Sequence, residues 1–293
     1  MQSDIKRATG LLIIEVVNSN PNGDPDRESD PRQRPNGIGE ISPVSFKRKL
    51  RDLLEDFSSP FFKNLPSKYS EHPDKYRILE SRGRDRSAIK KEMGADGKEK
   101  YDTAKFMQSA FVNRYWDARV FGNTFLEEGG DKGFIKTGVV QFGVGTSISP
   151  VSIIRHTNTN KSGVQEGKAA GMAPLGFRIV EHGVYTMPFF VNPNYAGKTG
   201  CNADDIELLK ILIPYSYDLN RSAIRPDVRL RHAWYIEHSN RLGSCPDFLL
   251  LDALTPKRIN NIADPSNSWS DYEDKTALPA ELLGRISSVV DLM

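Results

Sequence analysis

Acidic side chains near the start of the chain are the first group that could do chemistry. Asp24, Asp26, Glu28 and Asp30 alternate along a polar stretch, and carboxylate oxygens are the ligands of hard divalent cations. Their spacing does not match a calcium-binding loop, and Asn/Asp-Gly-Pro sequences commonly form plain turns. The stretch is therefore a candidate metal site, a candidate for nucleic-acid cleavage, or a turn with no catalytic role.

A basic helix follows and could bind an anion. Ser42-Pro43 suits its start, because serine caps free amides and proline fits the first helical position. Its apolar face contains Phe46, Leu50, Leu53, Leu54 and Phe57. At about 100° per residue the opposite arc holds Lys47, Arg48 and Arg51, and the first turn, where amides attract anions, holds Ser45. The helix therefore either faces a phosphate or is an ordinary solvated amphipathic helix.

Motifs for other chemistries are weak or missing from the sequence. The five histidines and two cysteines have no metal-ligand spacing, and no serine lies in a nucleophile-elbow motif. Gly143-Val144-Gly145 lacks the third glycine of a dinucleotide site, and no phosphate-binding loop ends in Gly-Lys-Ser/Thr. We therefore expect no metal, no cofactor and no catalytic residues.

Composition limits the class of protein. The chain has 293 residues, of which 38% are hydrophobic and 27% charged, so it can bury a core and is not globally disordered. Its longest apolar run, residues 11–14, is too short to cross a bilayer, and the first residues lack a signal-peptide pattern. We expect a soluble, cytoplasmic protein that does not associate with membranes.

The predicted elements place these groups on one scaffold. Residues 10–17 are typical of a buried central strand, and the Pro- and Gly-rich residues 18–39 of a long ordered loop. Further predictions are an insertion at 58–105, helices at 106–120 and 204–217, and strands at 137–149 and 178–192. The polar, glycine-rich residues 150–177 lie between those two strands and predict a projecting hairpin.

Basic residues are concentrated in parts of the chain, although the net charge is only +2. They exceed acidic residues in 26–51, 60–105, 155–178 and 221–241, whereas 242–293 is acidic. Four basic regions could follow a polyanion across one face of the molecule, or each could be ordinary solvated surface.

Several segments together resemble a known protein family. They are Asn-Ser-Asn-Pro-Asn-Gly-Asp-Pro-Asp at 18–26, Ser-Pro-Val-Ser-Phe-Lys-Arg-Lys-Leu-Arg at 42–51, Asp-Ala-Arg-Val-Phe-Gly at 117–122, Gly-Val-Val-Gln-Phe at 138–142 and Asp-Leu-Asn-Arg-Ser-Ala-Ile-Arg at 218–225. The family is the repeated backbone subunit of Cascade, the type I CRISPR surveillance complex, and the similarity is greatest to type I-C. Some relatives have glutamine where Val44 stands.

The resemblance implies an α+β fold shaped like a hand. An RNA-recognition-motif-like (ferredoxin-like) antiparallel sheet with helices forms the palm, from residues 1–57, 106–149 and 178–255. Residues 58–105 are the inserted fingers, and 150–177 are the thumb hairpin. The acidic residues 256–293 pack on the palm.

The resemblance also implies the function and the partners. Copies of the subunit polymerise along the spacer of the CRISPR RNA and leave guide bases free to pair with target DNA in antiviral defence. The other partners are neighbouring copies, the large, small and RNA-processing subunits, and a helicase-nuclease that cuts the target. Type I members of the family are not nucleases.

A subunit that accepts any guide must hold phosphates and sugars instead of reading bases. Lys47, Arg48 and Arg51 would grip the backbone, and an apolar thumb residue would hold a base step open. Arg221 and Arg225 would line the same groove, or would pair with Asp218 and Asp227. The full set of predicted RNA-binding residues is Asn20, Arg34, Ser45, Lys47, Arg48, Arg51, Arg155, Lys168, Met172, Leu175, Phe177, Arg221 and Arg225.

Two other functions compete with this interpretation. The first is a metal-dependent RNA endonuclease that uses Asp24, Asp26 and Asp30, because a backbone aspartate in this loop cleaves target RNA in related type III complexes. The second is a metabolic α+β enzyme whose basic surfaces are merely solvated.

Overall fold

The computed structural model of the chain describes residues 5–83, 110–123, 136–161 and 172–293. For residues 110, 111, 157–161 and 172–175 it describes the backbone alone. The part of the predicted fingers from 84 to 105 lies outside the described residues, as does Lys168.

The described residues form strands and mostly short helices. The strands are β1 (Ala8–Ser19), β2 (Ile38–Ile41), β3 (Gly122–Asn123), β4 (Lys136–Thr137), β5 (Val140–Phe142), β6 (Gly145–Pro150), β7 (Ile153–Lys161), β8 (Met172–Val191), β9 (Val228–His238), β10 (Lys257–Arg258), β11 (Tyr272–Glu273) and β12 (Ile286–Asp291). The α-helices are α1 (Pro43–Asp52), α2 (Pro60–Lys63), α3 (Ser67–Ser70), α4 (Ala110–Arg114), α5 (Trp116–Phe121), α6 (Ala196–Thr199), α7 (Ala203–Leu212), α8 (Asp247–Leu254) and α9 (Ala280–Leu283). Short 3₁₀ helices span Pro25–Arg27, Pro73–Lys75, Pro193–Tyr195, Ile213–Tyr215, Asp218–Asn220 and Trp269–Asp271.

A large antiparallel sheet dominates this part of the chain. Its strand order is β12-β9-β1-β8-β6-β2, and β5 and β7 also pair with β8. β1 pairs with β8 on one side and β9 on the other, which confirms the predicted central strand. The predicted α+β class with an antiparallel sheet is therefore confirmed.

The order of the main elements is β1-α1-β5-β8-α7-β9, and the four strands lie in the order β9-β1-β8-β5. A capping box fixes the start of α7, since the side chains of Asn202 and Asp205 each accept a hydrogen bond from the other's backbone amide. Both α1 and α7 pack on one face of the sheet.

Alternation along β1 divides the apolar core between the two faces of the sheet. Leu12, Ile14 and Val16 lie in the core cluster that also contains Phe46 of α1 and Leu208 of α7. Leu11 and Ile13 point to the opposite face, where a second cluster contains side chains from α8, β11 and the region of α9. The C-terminal segment thus covers the face of the sheet opposite α1.

The predicted hairpin is formed by β7 and β8. The two strands pair from Ile153↔Val180 to Lys161↔Met172. β1 pairs with β8 only from Val180 to Val191, so the outer half of β8 extends beyond β1 with β7 as its partner. The hairpin is continuous with a central strand of the sheet.

Several predicted elements differ from the structure. The helix predicted at 204–217 is α-helical only to Leu212 and continues as the 3₁₀ helix Ile213–Tyr215. Instead of continuing to Phe57, α1 ends at Asp52, where the amide of Leu54 bonds to the carbonyl of Arg51 in a tighter turn. Asp56 then forms a second local turn by accepting hydrogen bonds from the amide and hydroxyl of Ser58. The predicted strand 137–149 is divided into β4, β5 and β6, and the amide of Gly143 between the last two bonds to the carbonyl of Pro188. The helix predicted at 106–120 is divided at Tyr115 into α4 and α5.

The described part of the insertion contributes to the core. Phe62, Leu65 and Tyr69 are buried in the cluster that contains α1. Tyr69 also donates a hydrogen bond from its hydroxyl to the carbonyl of Asp204, 3.1 Å away in α7. In the described part of the chain, the helices are all too short or too polar to span a bilayer.

A histidine between two aspartates ties β12 to the sheet. His232 of β9 lies 2.6 Å from Asp291 through Nδ1 and 3.1 Å from Asp274 through Nε2. The hydrogen bond with Asp291, supported by Asp274, raises the pKa of His232 above its usual value. Its ring stacks on Trp234 with centroids 5.1 Å apart. The imidazolium form is therefore favoured in the folded protein.

His232→Asn should lower stability in a pH-dependent way. A histidine whose pKa is raised on folding stabilises the folded state. This stabilisation is complete below the pKa of the unfolded state and is lost as the pH rises through the pKa of the folded state. We expect the variant to lose about 1.5–3 kcal/mol of unfolding free energy at pH 6, the scale of hydrogen bonds to charged groups, and less at pH 9. Urea unfolding at both pH values measures this. His72→Asn, at an exposed histidine, is the control, and an equal loss for His232→Asn at both pH values would contradict the assignment.

Candidate nucleic-acid interface

The first turn of α1 is built as predicted. The hydroxyl of Ser42 accepts a hydrogen bond from the amide of Ser45, and the side-chain oxygen of Asn22 accepts one from the amide of Ser42. The first loop is thus fixed to the start of the helix. Ser45 remains partly exposed and Val44 is 71% exposed, so this turn faces solvent.

Lys47 lines a cleft on one flank of α1. The cleft has a volume of about 340 Å³, and its lining includes Val44, Phe121, Asn123, Lys136 and Gln141. The ammonium of Lys47 lies 5.3 Å from the centroid of the Phe121 ring. Burial, followed by the nearby Arg51, lowers the pKa of Lys47. Glu80 also lines the cleft and acts on Lys47 through its charge. No carboxylate of the described residues forms an ion pair with Lys47, so its ammonium is available to an anion.

The two arginines predicted beside Lys47 are bound to carboxylates of the protein. Arg48 pairs with Asp52 at 2.7 Å and Glu55 at 2.6 Å, and it donates to the carbonyl of Glu80. Arg51 is only 4% exposed and pairs with Asp117 and Glu80, both at 2.9 Å. The predicted arc of three exposed cations therefore differs from the structure, which buries Arg51.

The other flank of α1 holds Lys49, Arg225 and Asn20. The guanidinium Nε of Arg225 donates to the carbonyl of Asn20 at 3.0 Å, and the amide of Asn20 donates to the carbonyl of Ile224 at 2.8 Å. Asn220 holds this segment to α1 through a 3.1 Å hydrogen bond to the carbonyl of Lys49. The first loop and residues 218–225 therefore meet at α1.

Lys49 is the functional candidate that the sequence analysis missed. It lies three residues after Phe46, on the edge of the buried face of α1, and is 8% exposed. A lysine at an apolar position of an amphipathic helix was the available signal. Burial, followed by the charge of Arg225, lowers the pKa of Lys49 to about 8.

The segment Asp117–Gly122 positions the flank of α1 that carries Lys47. Asp117 accepts from Arg51 and from the amides of Leu79 and Glu80. Arg119 forms a bidentate pair with Asp205 at 2.7 and 2.9 Å. Burial opposes the charge of Arg119, but the contacts with Asp205 outweigh it and raise the pKa of the guanidinium.

Gly122 ends α5 with a backbone that side chains disfavour. Its φ is +82°, and an added Cβ would lie 2.3 Å from the carbonyl oxygen of Lys136. This close approach allows β3 and β4 to pair beside the cleft.

The acidic first loop is bound to the base of the hairpin. Asp30 is 9% exposed and pairs with Arg155 at 2.5 Å, while Arg178 lies 3.5 Å from it and also pairs with Glu28. The hydrogen bond from Arg155 lowers the pKa of Asp30. Asp24 caps the short helix at Pro25–Arg27 and lies 3.7 Å from Arg32. Within the described residues no group of three His, Cys, Asp or Glu side chains could hold a metal ion.

The remaining predicted residues are dispersed around this region. Arg34 pairs with Glu40 at 2.5 Å, and Arg221 pairs with Asp218 at 2.9 Å. Asp227 pairs with Arg229, not with Arg225. On the hairpin, partly exposed Phe177 lies opposite His156, whereas for Met172 and Leu175 the backbone alone is described.

Comparison with known proteins gives consistent matches. The family model described as CRISPR-associated protein Cas7 matches residues 6–277. A CRISPR-associated protein Cas7 from Haloferax volcanii is 25% identical over 312 residues, which cover 99% of this chain and 86% of the relative. The chain is also similar to one in a CRISPR RNA-guided surveillance complex, pre-nicking, with 13% identity, coverage of 80% and 79%, and a TM-score of 0.47. A second CRISPR RNA-guided surveillance complex matches with 12% identity, coverage of 79% and 70%, and a TM-score of 0.40.

Arg51→Met should destabilise the fold. It leaves the buried Asp117 carboxylate without its guanidinium partner, and breaking a buried pair in this way costs about 3–5 kcal/mol. Urea unfolding should show a loss of that size. Arg34→Met removes an exposed pair and is expected to cost at most about 1 kcal/mol. Equally small losses in both variants would show that Arg51 is not a structural residue.

Proposed function

Because the chain belongs to the Cas7 family, we propose that it binds CRISPR RNA as the repeated backbone subunit of a type I surveillance complex, closest to type I-C. Copies polymerise along the guide spacer and present its bases to target DNA in antiviral defence. The observation that carries the proposal is the convergence of the first loop, α1, residues 117–122 and residues 218–225 around helix-borne lysines.

The topology supports an RNA-recognition-motif-like palm. The order β1-α1-β5-β8-α7-β9, with strands arranged β9-β1-β8-β5, is that of a βαββαβ ferredoxin-like unit. In this proposal the hairpin of β7 and β8 is the thumb, residues 58–105 are the fingers, and 256–293 pack on the palm.

The chemistry of the site supports binding that does not depend on sequence. Lysine ammonium groups, hydroxyls and amides bind phosphates and sugars, which carry no base identity. Lys47 and Ser45 contact the RNA backbone. The hairpin crosses the RNA, with Met172, Leu175 or Phe177 wedged at a base step and Arg155 and Lys168 on the backbone.

Assembly defines the remaining partners. They are neighbouring copies of the chain, the large, small and RNA-processing subunits, and the helicase-nuclease that the complex recruits in the cytoplasm. The chain itself acts as a scaffold and not as an enzyme. In support of this role, the carboxylates of Asp24 and Asp30 already bind arginines of the protein.

Binding should be general for single-stranded RNA and should depend on Lys47. We expect comparable affinity for unrelated sequences, and a mass that grows stepwise with RNA length in light scattering. Lys47→Met should weaken all sequences equally and reduce the slope of log K against log salt by about 0.7, the value for one phosphate contact. Lys257→Met removes one exposed charge from the C-terminal segment and is the control. Binding of one copy whatever the length would contradict polymerisation.

The endonuclease alternative predicts that the purified protein cuts target RNA when Mg²⁺ is present, whereas the scaffold role predicts that it does not. The purified protein should leave target RNA intact with Mg²⁺ on a denaturing gel, because Asp30 is held by Arg155 and Arg178. Magnesium-dependent products that disappear in Asp24→Ala, Asp26→Ala and Asp30→Ala variants would replace the scaffold role with catalysis.

A further inference from the structure

Lys49 is a buried cation without an acidic partner in the described part of the chain. It is 8% exposed, yet none of the described carboxylates lies within ion-pair distance, and Asp52 affects it only from a distance. The other charges that influence its ammonium are all positive, from Arg225, Arg82 and Arg48. Burying a charge without a partner costs stability, so proteins retain such a group where something else completes it.

Arg225 beside it is also incompletely bound. Its Nε donates to the carbonyl of Asn20, and neither terminal nitrogen has an acceptor among the described residues. Burial lowers the pKa of Arg225 as well. The side-chain oxygen of Asn20 is buried without a donor. Among residues 5–83, 110–123, 136–161 and 172–293, protein groups therefore leave this flank of α1 unsatisfied.

We propose that Lys49 and Arg225 form a seat for a single phosphodiester group of the bound RNA. The inference rests on the proposed function and adds a second backbone contact to it, on the flank of α1 opposite the Lys47 cleft. Asp52 acts on both groups only through its charge and forms no ion pair with either of them. An ammonium and a guanidinium without an ion-paired carboxylate match a tetrahedral oxyanion, which accepts from both. A phosphodiester fits because it is anionic throughout the range from pH 7 to pH 9.

The seat couples RNA binding to protonation. Lys49 is charged below pH 8 and loses its proton above it, whereas a phosphate beside it favours the charged form. The charged groups around Lys49 are Arg225, Arg82, Arg48 and Asp52, and burial raises the pKa of the nearby Tyr217 above this range. RNA binding should therefore weaken between pH 7 and pH 9 because of Lys49.

Lys49→Met provides the test, since methionine preserves the length of the buried stem. We expect affinity for a single-stranded RNA to fall about fivefold at pH 7 and 0.1 M salt, with a salt slope lower by about 0.7. The pH dependence between 7 and 9 should become smaller, and we assign what remains to Lys47, whose pKa is also lowered. Thermal unfolding should occur at a higher temperature than in the unmodified protein, because a buried unpaired charge has been removed. Lys257→Met should retain the pH dependence and the unmodified unfolding temperature.

The outcomes distinguish a phosphate seat from a purely structural role for Lys49. A Lys49→Met protein with unchanged affinity and pH dependence would overturn the seat while leaving the proposed function intact. Weaker binding together with a lower unfolding temperature would assign Lys49 a structural role and also overturn it. Failure of the unmodified protein to bind RNA would overturn the proposed function and the seat together. The same binding measurement with single-stranded DNA of the same sequence, and with inorganic phosphate, identifies the source of the phosphate. Tighter binding of DNA than of RNA would exclude RNA as the ligand.

Discussion

The position of α1 depends on the buried carboxylate of Asp117. This group is 1% exposed and accepts hydrogen bonds from Arg51 at 2.9 Å and from the amides of Leu79 and Glu80 at 2.7 and 3.2 Å. The Asp117 carboxylate therefore joins three parts of the chain at one point: α1, residues 79–80, and α5, to which Asp117 belongs. Because a buried charge that loses one partner is costly, these three elements are held as a unit. The cleft of Lys47 forms between α1 and α5 and exists only while they are held together.

Charge pairing around α1 explains how a nearly neutral protein can present a cationic site. Arg48, Arg51, Arg119 and Arg155 each pair with carboxylates of the chain. Their charges build the scaffold and contribute less to an outside anion than their number suggests. Lys47 and Lys49, on opposite flanks of one helix, have no such partner among the described residues. In the proposed RNA-binding role, the cations of α1 that are available to a phosphate are therefore these two lysines.

Local patterns in the sequence were sufficient for the elements that depend on neighbouring residues. The apolar run at 10–17, the Ser42-Pro43 cap and the hairpin between two strands each correspond to an observed element. The end of α1 was mispredicted because Leu53, Leu54 and Phe57 continue the apolar pattern after the helix has ended. The ring of Phe57 packs against Phe62 instead, with ring centroids 4.8 Å apart. The exposure of Arg51 could not be predicted, because its partner Asp117 is 66 positions away. Helical periodicity says which residues share a face, but not what packs against that face.

Pairing also restricts what Asp30 in the first loop can bind. Asp30 accepts a hydrogen bond from Arg155 and lies 3.5 Å from Arg178, so its carboxylate oxygens already contact guanidinium groups. A metal ion would have to displace these guanidinium groups to bind Asp30. The same contacts join the first loop to the base of the hairpin. The first loop is also joined to the start of α1 through Asn22 and Ser42, so it positions the hairpin relative to α1. A phosphate approaching Arg155 or Arg178 has to compete with Asp30 and Glu28 for them. In the proposed role, the hairpin arginines therefore gain an RNA contact only at the expense of an internal ion pair, whereas Lys47 and Lys49 give up no ion pair of the described residues when an anion arrives.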